Sequence, residues 1–236
     1  MRLDKLLVHS GFGSRKDVKQ MLKKKMVMVD NKIVKKADVQ VDPNKAEIYV
    51  NGERLVYLSS VYLMLHKPPG HVSATVDNRH PTVIDLVPKE LNHYDLAPVG
   101  RLDKDTEGLL ILTNDGQLNH RLTSPKHDVF KTYYATIDGH VKEAHIKQFE
   151  DGVTLDDGYR TKPARLTIIT AGEHSEIEIA ISEGKFHQVK RMFEAIDMKV
   201  TYLKRTSMGD LQLDPNIPMG QTRMLTDAEI SYLKNV

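Results

Sequence analysis

Leu3, Leu6 and Leu7 recur at helical spacing at the start of the chain, and Gly11 with Gly13 ends the helix they predict. Ser14 stands where an N-cap belongs, with Asp17 three residues on as the acid of a capping box. Val18, Met21 and Leu22 give the second helix its apolar stripe, and Lys16, Lys19, Lys23, Lys24 and Lys25 take the rest of its surface. VMVDNKIV then predicts a hairpin turning at Asp30-Asn31, and AEIYVNGERL a strand followed by the turn pair Asn51-Gly52. This first piece ends near Leu58.

From residue 59 the pattern changes. Val61 to Leu65 is a short apolar strand stopped by Pro68, Pro69 and Gly70. HPTVIDLVP is a short helix or turn. LAPVGRLDKDTEGLLILTNDG gives a turn, a loop and a buried strand, with Asp115 placed to cap a helix near Gln117. KTYYATIDG, ARLTIIT, SEIEIAIS and KVTYLKR read as strands. FHQVKRMFEAI predicts a helix with Val189, Met192, Phe193 and Ile196 on one face. VKEAHIKQFEDGV predicts another, resting on the pairs Val141 with Ala144 and Ile146 with Phe149. Hairpins mix with helices rather than alternating regularly. The expected class is therefore α+β, with a body over residues 59–236 built on a mixed, mainly antiparallel sheet.

The 236 residues, 40% hydrophobic and 28% charged, have an ordinary globular composition. No apolar run approaches the roughly 20 residues that cross a bilayer, so no membrane association is expected. Asp4 and Lys5 interrupt the amino terminus too early for a secretory signal. The absence of cysteine excludes disulfides, thiolate catalysis and Cys-based zinc sites. Charge is divided unevenly. Residues 1–58 carry 13 Lys/Arg against 7 Asp/Glu, and the remainder 21 against 25. A basic amino-terminal piece on a mildly acidic body suits docking on a polyanion.

The richest chemistry lies in GRLDKDTEGLLILTNDG, where Asp103, Asp105, Glu107 and Asp115 surround an apolar strand. Asp103, Asp105, Glu107 and Gly108 fit positions 1, 3, 5 and 6 of a calcium loop, but position 12 is Asn114 instead of a bidentate Glu. A two-metal nuclease would need partner acids that the rest of the chain does not offer. For Asp105 and Glu107 the expectation is structural: capping turns and pairing with Arg101 and Lys104. Asp103 differs, because it follows Gly100-Arg101-Leu102 and precedes a strand that must be buried. An acid at such an edge is kept ionised by an opposite cation. Candidates are Lys185, Lys190 and Arg191 in EGKFHQVKRMF, where Lys190 and Arg191 cannot both face the core of one helix.

GRLDKDTEGLLILTNDG resembles the signature of pseudouridine synthases of the RsuA/RluB type. MRLDKLLVHSGFGSRKDVKQMLKKKMVMVDNKIV resembles an S4 RNA-binding domain. LHKPPGHVSAT, FKTYYATIDG and EGKFHQVKRMF resemble three further motifs of that family, in family order. The resemblance implies an S4 domain over 1–58 and a catalytic domain over 59–236. It implies Asp103 as the catalytic aspartate, Tyr133 as the active-site tyrosine and Lys190 as the basic partner, with Arg191 its rival. It places Leu203 against the uridine and makes Arg101, Lys131, Gln188 and Arg191 substrate-binding. Arg2, Arg15, Lys16, Lys19 and Lys23 would bind RNA through phosphates. Neither metal nor organic cofactor is implied.

The implied reaction turns one uridine of ribosomal RNA into pseudouridine after the base has left its stack. Arg101 would fill the gap or hold the phosphate. Asp103 would either attack C1′ or take a proton from C2′, and the residues do not separate these routes. TKPARLTI and HQVKRMF look more like the small-subunit branch, which favours 16S rRNA. The alternatives are a large-subunit (23S) enzyme and a non-catalytic ribosome assembly factor. A monomer in a bacterial-type cytoplasm is expected.

Overall fold

A computed structural model describes residues 1–124 and 127–236. The chain forms two compact units: Met1–Val61 with Pro88–Asp95, and Tyr62–Val87 with Leu96–Val236. The short excursion Pro88–Asp95 packs with the first unit although it interrupts the second in sequence.

The first unit holds helices α1 (Leu3–His9) and α2 (Arg15–Lys23) and strands β1 (Val27–Val29), β2 (Lys32–Ile33), β3 (Ile48–Val50) and β4 (Glu53–Arg54). Ser14 and Asp17 bond reciprocally at the start of α2, so the capping box is complete. Asp30 and Asn31 both take positive φ, 48° and 61°, and turn β1 into β2. The strands pair antiparallel in the order β2-β1-β3-β4. Leu3, Leu6, Leu7, Val18 and Leu22 pack against Val27, Ile48 and Val50 to make the core.

The second unit is organised by a nine-stranded sheet. Its strands are β5 (Tyr62–Lys67), β6 (Ala97–Pro98), β7 (Glu107–Thr113), β8 (Lys131–Asp138), β9 (Arg165–Thr170), β10 (His174–Ile181), β11 (Lys199–Met208), β12 (Leu211–Gln212) and β13 (Thr222–Met224). They run β13-β5-β7-β11-β8-β10-β9, with β6 on β7 and β12 on β11. Every pairing is antiparallel except β7 with β11, where Glu107 faces Lys204 and Gly108 faces Arg205. That seam is tight: a Cβ on Gly108, whose φ is +107°, would fall 2.2 Å from the Arg205 carbonyl oxygen.

Among the described residues, four α-helices complete this unit: α3 (Gly116–Thr123), α4 (Glu143–Glu150), α5 (Gln188–Glu194) and α6 (Asp227–Asn235). Asp115 caps α3 by accepting from the backbone N–H groups of Gln117 and Leu118. β5 and β7 are buried on both faces, which explains their unbroken apolar runs. The stripe expected of α4 is thinner than its spacing suggests. Val141 precedes the helix, Ala144 is exposed, and only Phe149 is fully buried, its ring 5.0 Å from that of Phe193 in α5. Ala97–Pro98, expected as a turn, is a two-residue strand on β7.

Candidate active site

The parallel seam brings the acidic loop to a cleft. Because β7 starts at Glu107 beside Lys204, the residues just before it, Arg101 to Thr106, lie at the end of the seam. Lys67, the last residue of β5, pins this loop from beneath. Fully buried, its ammonium donates to the carbonyls of Thr106 at 2.8 Å, Pro68 at 3.0 Å and Lys104 at 3.3 Å. Burial draws the Lys67 ammonium down to about 8, against the pull of Asp105, Asp103 and Glu107. Ser73 adds a second anchor: its hydroxyl donates to the Leu102 carbonyl at 2.9 Å and accepts from the Leu102 N–H at 3.0 Å.

The cleft has a volume of about 720 Å³. Asp103 and Arg101 line it from the loop, Lys131 and Tyr133 from β8, Leu203 and Arg205 from β11, and His187 and Gln188 from the start of α5. Cross-strand register explains the grouping. Tyr133 faces Arg205 and Ala135 faces Leu203, and residues opposite one another share a face of the sheet.

Lys190 Nζ lies 3.2 Å from Asp103 Oδ2. The same ammonium donates to Asp105 Oδ1 and Oδ2 at 2.7 and 2.9 Å. Burial works against its charge, but the two carboxylates more than offset this and hold Lys190 above its ordinary value. His187, at positive φ of 49°, brings Nε2 to 3.6 Å from Asp103 Oδ1. Arg191 points elsewhere, its guanidinium on Asp156 and Asp157. The lysine beside Asp103 is therefore Lys190, and Arg191 is not in contact with it.

The other carboxylates depart from expectation. Asp105 pairs with Lys190 rather than with Arg101 or Lys104, because the loop turns its side chain toward α5. Lys104 Nζ lies 3.2 Å from His80 Nδ1 instead. Glu107, the first residue of β7, accepts from the Tyr202 hydroxyl at 2.7 Å across the sheet. Asp103 and Asp105 share the Lys190 ammonium while Glu107 turns to Tyr202, so the three carboxylates do not converge on one calcium ion.

Tyr133 is buried, 8% exposed, in the cleft wall. Leu203 is likewise buried there, and Arg101 is exposed at its rim. Lys131 is half-buried, and burial together with the charge of Arg205 draws its ammonium down to about 8. Gln188 lines the cleft but spends its amide on structure. Its Oε1 accepts from the Lys185 N–H at 2.8 Å, and its Nε2 donates to Glu183 at 2.7 Å. Glu183 also accepts from the Tyr159 hydroxyl and the Lys162 N–H, and so fixes the turn that delivers His187 and Lys190.

In the first unit, Arg15, Lys16, Lys19 and Lys23 are all exposed on α2. Arg15, Lys19 and Lys23 follow one another at four-residue spacing and form a single stripe. Arg2 is different: its guanidinium grips Asp4 at 3.0 and 2.8 Å, so its charge is already compensated.

Lys67 and His187 fall within LHKPPGHVSAT and EGKFHQVKRMF, yet the resemblance gives neither of them a role, and it gives Arg205 none either. Lys67 leaves a faint mark, a charge ending an apolar run. Arg205 leaves another, sharing two-residue spacing with Leu203 and hence its face of β11.

Comparison with known proteins shows the family. A family model described as RNA pseudouridylate synthase matches residues 61–195, and one for the S4 domain matches residues 1–46. A Bacillus subtilis (strain 168) protein named as an uncharacterised RNA pseudouridine synthase, YtzG, is 48% identical over 99% of this chain and 98% of its own length. The ribosomal small subunit pseudouridine synthase A of Yersinia pestis is 40% identical, over 98% of this chain and 97% of its own. A crystal structure of a pseudouridylate synthase, 37% identical, superposes with a TM-score of 0.69 and covers 99% of both chains. The chain belongs to the RNA pseudouridine synthase family: an isomerase domain that follows an S4 domain.

Proposed function

We propose that this protein converts one uridine of small-subunit (16S) ribosomal RNA to pseudouridine, with Asp103 as the acid that opens the reaction. The observation that carries this reading is the ion pair of Asp103 and Lys190, 3.2 Å apart in a cleft walled by Tyr133 and Leu203. The small-subunit target is supported by full-length relatives such as that of Yersinia pestis, named for the small subunit.

The target base is extruded into the cleft, which costs a few kcal/mol. Arg101 at the rim fills the vacated stack or holds the flanking phosphate. Arg15, Lys16, Lys19 and Lys23 offset the cost by pairing with phosphates, which adds affinity without reading sequence. Asp103 then attacks C1′ or removes the C2′ proton as the bond to N1 breaks. The ammonium of Lys190 pairs with the carboxylate and aims it. Tyr133 lends a ring face to the base, and its hydroxyl stands near C5, where a proton finally leaves. We read the domain boundary as residues 1–58 and 59–236, and the protein as a cytoplasmic monomer that needs neither metal nor cofactor.

The test is to map pseudouridine in ribosomal RNA from cells lacking this protein, then restore the gene as wild type or as Asp103→Asn. One 16S site should disappear and return only with wild type. Purified Asp103→Asn should bind the RNA within about threefold of wild type, since phosphate pairing carries the affinity. Loss of a 23S site instead, or of none, overturns the proposed target.

A further inference from the structure

We propose that Arg205, with Lys131 beside it, forms an anion seat on the cleft floor that holds the carbonyl oxygens of the detached uracil. This rests on the reading of Asp103 as the acid of pseudouridine formation.

Arg205 is only 2% exposed, yet it lines the same cleft as Asp103. Its Nε donates to the Leu109 carbonyl at 2.8 Å, which braces β11 against β7. That bond uses one of five N–H groups. Nη2 is buried with no hydrogen-bond partner among the described residues. Among the described residues, neither Arg205 nor Lys131 has a carboxylate at salt-bridge distance. Their charges repel, and Arg205 repels Lys67 as well. Unpaired cations in a desolvated wall are expensive. A structural brace would need no second charge beside it; a seat for an incoming anion would.

Depth and chemistry identify that anion. RNA phosphates are bulky, hydrated and fixed to the backbone, whereas a flipped base is the part of RNA that reaches a buried wall such as the one Arg205 and Tyr133 share. When C1′–N1 breaks, the bonding pair stays on N1 and spreads to O2 and O4. If Asp103 attacks, a carboxylate oxygen bonds C1′; if it acts as base, it takes the C2′ proton and a C1′–C2′ double bond forms. Either way uracil departs as an anion. It then turns about its N3–C6 axis, which carries C5 to where N1 was. C5 bonds C1′, and the carboxylate oxygen is released or the C2′ proton is returned. The C5 hydrogen leaves as a proton and N1 gains one, so nothing is gained or lost overall.

The half-turn also exchanges O2 and O4. A cation pair that meets one carbonyl before the turn meets the other after it. One fixed seat therefore stabilises the anion at departure and again at re-attachment, without moving, and it keeps the free base from escaping.

The first experiment needs no turnover. Binding of 5-nitrouracil, an anion at neutral pH, is compared with that of thymine, a neutral base of similar size, by calorimetry at pH 7. Wild type should favour the anion by about 10-fold or more, the worth of one hydrogen bond to a charged group. Arg205→Met and Lys131→Met should each remove most of that preference. Arg205→Lys keeps a charge and should retain part of it; if Arg205→Met does not fold, Arg205→Lys and Lys131→Met carry the comparison.

The second experiment measures single-turnover isomerisation of an rRNA fragment. Arg205→Met should slow the step by about 10²- to 10³-fold, as loss of an oxyanion donor does, with RNA affinity unchanged. The loss should shrink on RNA carrying 5-fluorouridine, because fluorine at C5 itself stabilises the departing anion; with no C5 hydrogen to release, that RNA is followed by breakage of its C1′–N1 bond. A preference for the anion that is absent in wild type, or intact in both variants, overturns the seat. So does an equal rate loss on the two RNAs. Anion preference without isomerisation of any rRNA uridine overturns the functional reading and leaves the seat standing.

Discussion

Lys190 stands 3.2 Å from Asp103 while holding Asp105 more closely, at 2.7 Å. One ammonium is thus shared between an acid inside the cleft, 26% exposed, and an acid in solvent, 73% exposed. The exposed pair contributes little to stability, since water screens it. Its effect is positional: Asp105 fixes the lysine head so that Asp103 always meets it.

Removing the two groups should therefore have unequal consequences. Lys190→Gln leaves Asp103 without its cation and should lower kcat by roughly 10²-fold, in the range for removing one electrostatic partner in a water-poor site. Asp105→Asn leaves the pairing of Lys190 with Asp103 in place and should cost less than about 10-fold, or 1.4 kcal/mol. Steady-state kinetics on one RNA fragment decide this. Equal losses would mean that Asp105 itself takes part in the chemistry.

The stripe of Arg15, Lys19 and Lys23 with Lys16 beside it presents charge to solvent, and among the described residues none of the four is held in a salt bridge. Neutralising Lys16, Lys19 and Lys23 to Gln should weaken RNA binding uniformly across sequences. The slope of log affinity against log salt should flatten by roughly one unit for each phosphate no longer neutralised. Arg2→Gln should change the slope far less, because Asp4 already occupies that guanidinium. Filter binding from low to moderate salt measures both, and an unchanged slope in the triple variant refutes the docking role.

How much of the fold and site is legible in the sequence follows from the range of each interaction. The capping box of Ser14 and Asp17 and the turn at Asp30-Asn31 are local, and residue type alone specifies them. β5 and β7 announce themselves as apolar runs. The seam between β7 and β11 does not, because it joins Gly108 to Arg205 across nearly a hundred residues, and a lone Gly in a strand shows no partner. Asp105 misleads for a related reason: sequence proximity favours Arg101 and Lys104, whereas the fold delivers Lys190 from 85 residues away. A charged residue within a strand reads as outward-facing, which hides Arg205 and Lys67. The α4 stripe promises more burial than it has, since spacing shows which residues share a face and not whether anything covers it.

Lys131 provides a pH signature. Its ammonium, drawn to about 8 by burial and Arg205, is held up by Asp128 and opposed further by Lys162. If its charge serves catalysis, activity should fall as pH rises through about 8. Lys131→Arg stays protonated and should move that alkaline limb upward by at least a unit. Stability should respond oppositely. Between about 8 and the unfolded value of 10.5, the unfolded chain binds more protons at this lysine, so folding gains as pH rises. Rate and urea midpoint measured across this window should thus diverge in wild type. An alkaline limb unmoved in Lys131→Arg would remove Lys131 from the chemistry.

Glu229 makes the opposite prediction in acid. It lies in the first turn of α6, where it accepts from the Thr226 N–H at 2.7 Å and takes a two-point bond from Arg223 at 2.7 and 2.8 Å. Arg223 belongs to β13 and also grips Asp214 at 2.7 Å, so one guanidinium ties the sheet edge to the last helix. The Arg223 bond dominates over burial, which opposes ionisation, and holds Glu229 at about 2, against 4.5 when free. A depressed carboxylate stabilises fully above its unfolded value, and the contribution is lost as pH falls from about 4.5 through about 2. Glu229→Gln keeps the cap geometry but forfeits the charge. It should destabilise by about 1–3 kcal/mol at pH 7, the range for hydrogen bonds to charged groups. Denaturant midpoints of wild type and variant should converge as pH drops toward 2. A gap that stayed constant down to that pH would mean that the cap, and not the ion pair with Arg223, secures the helix.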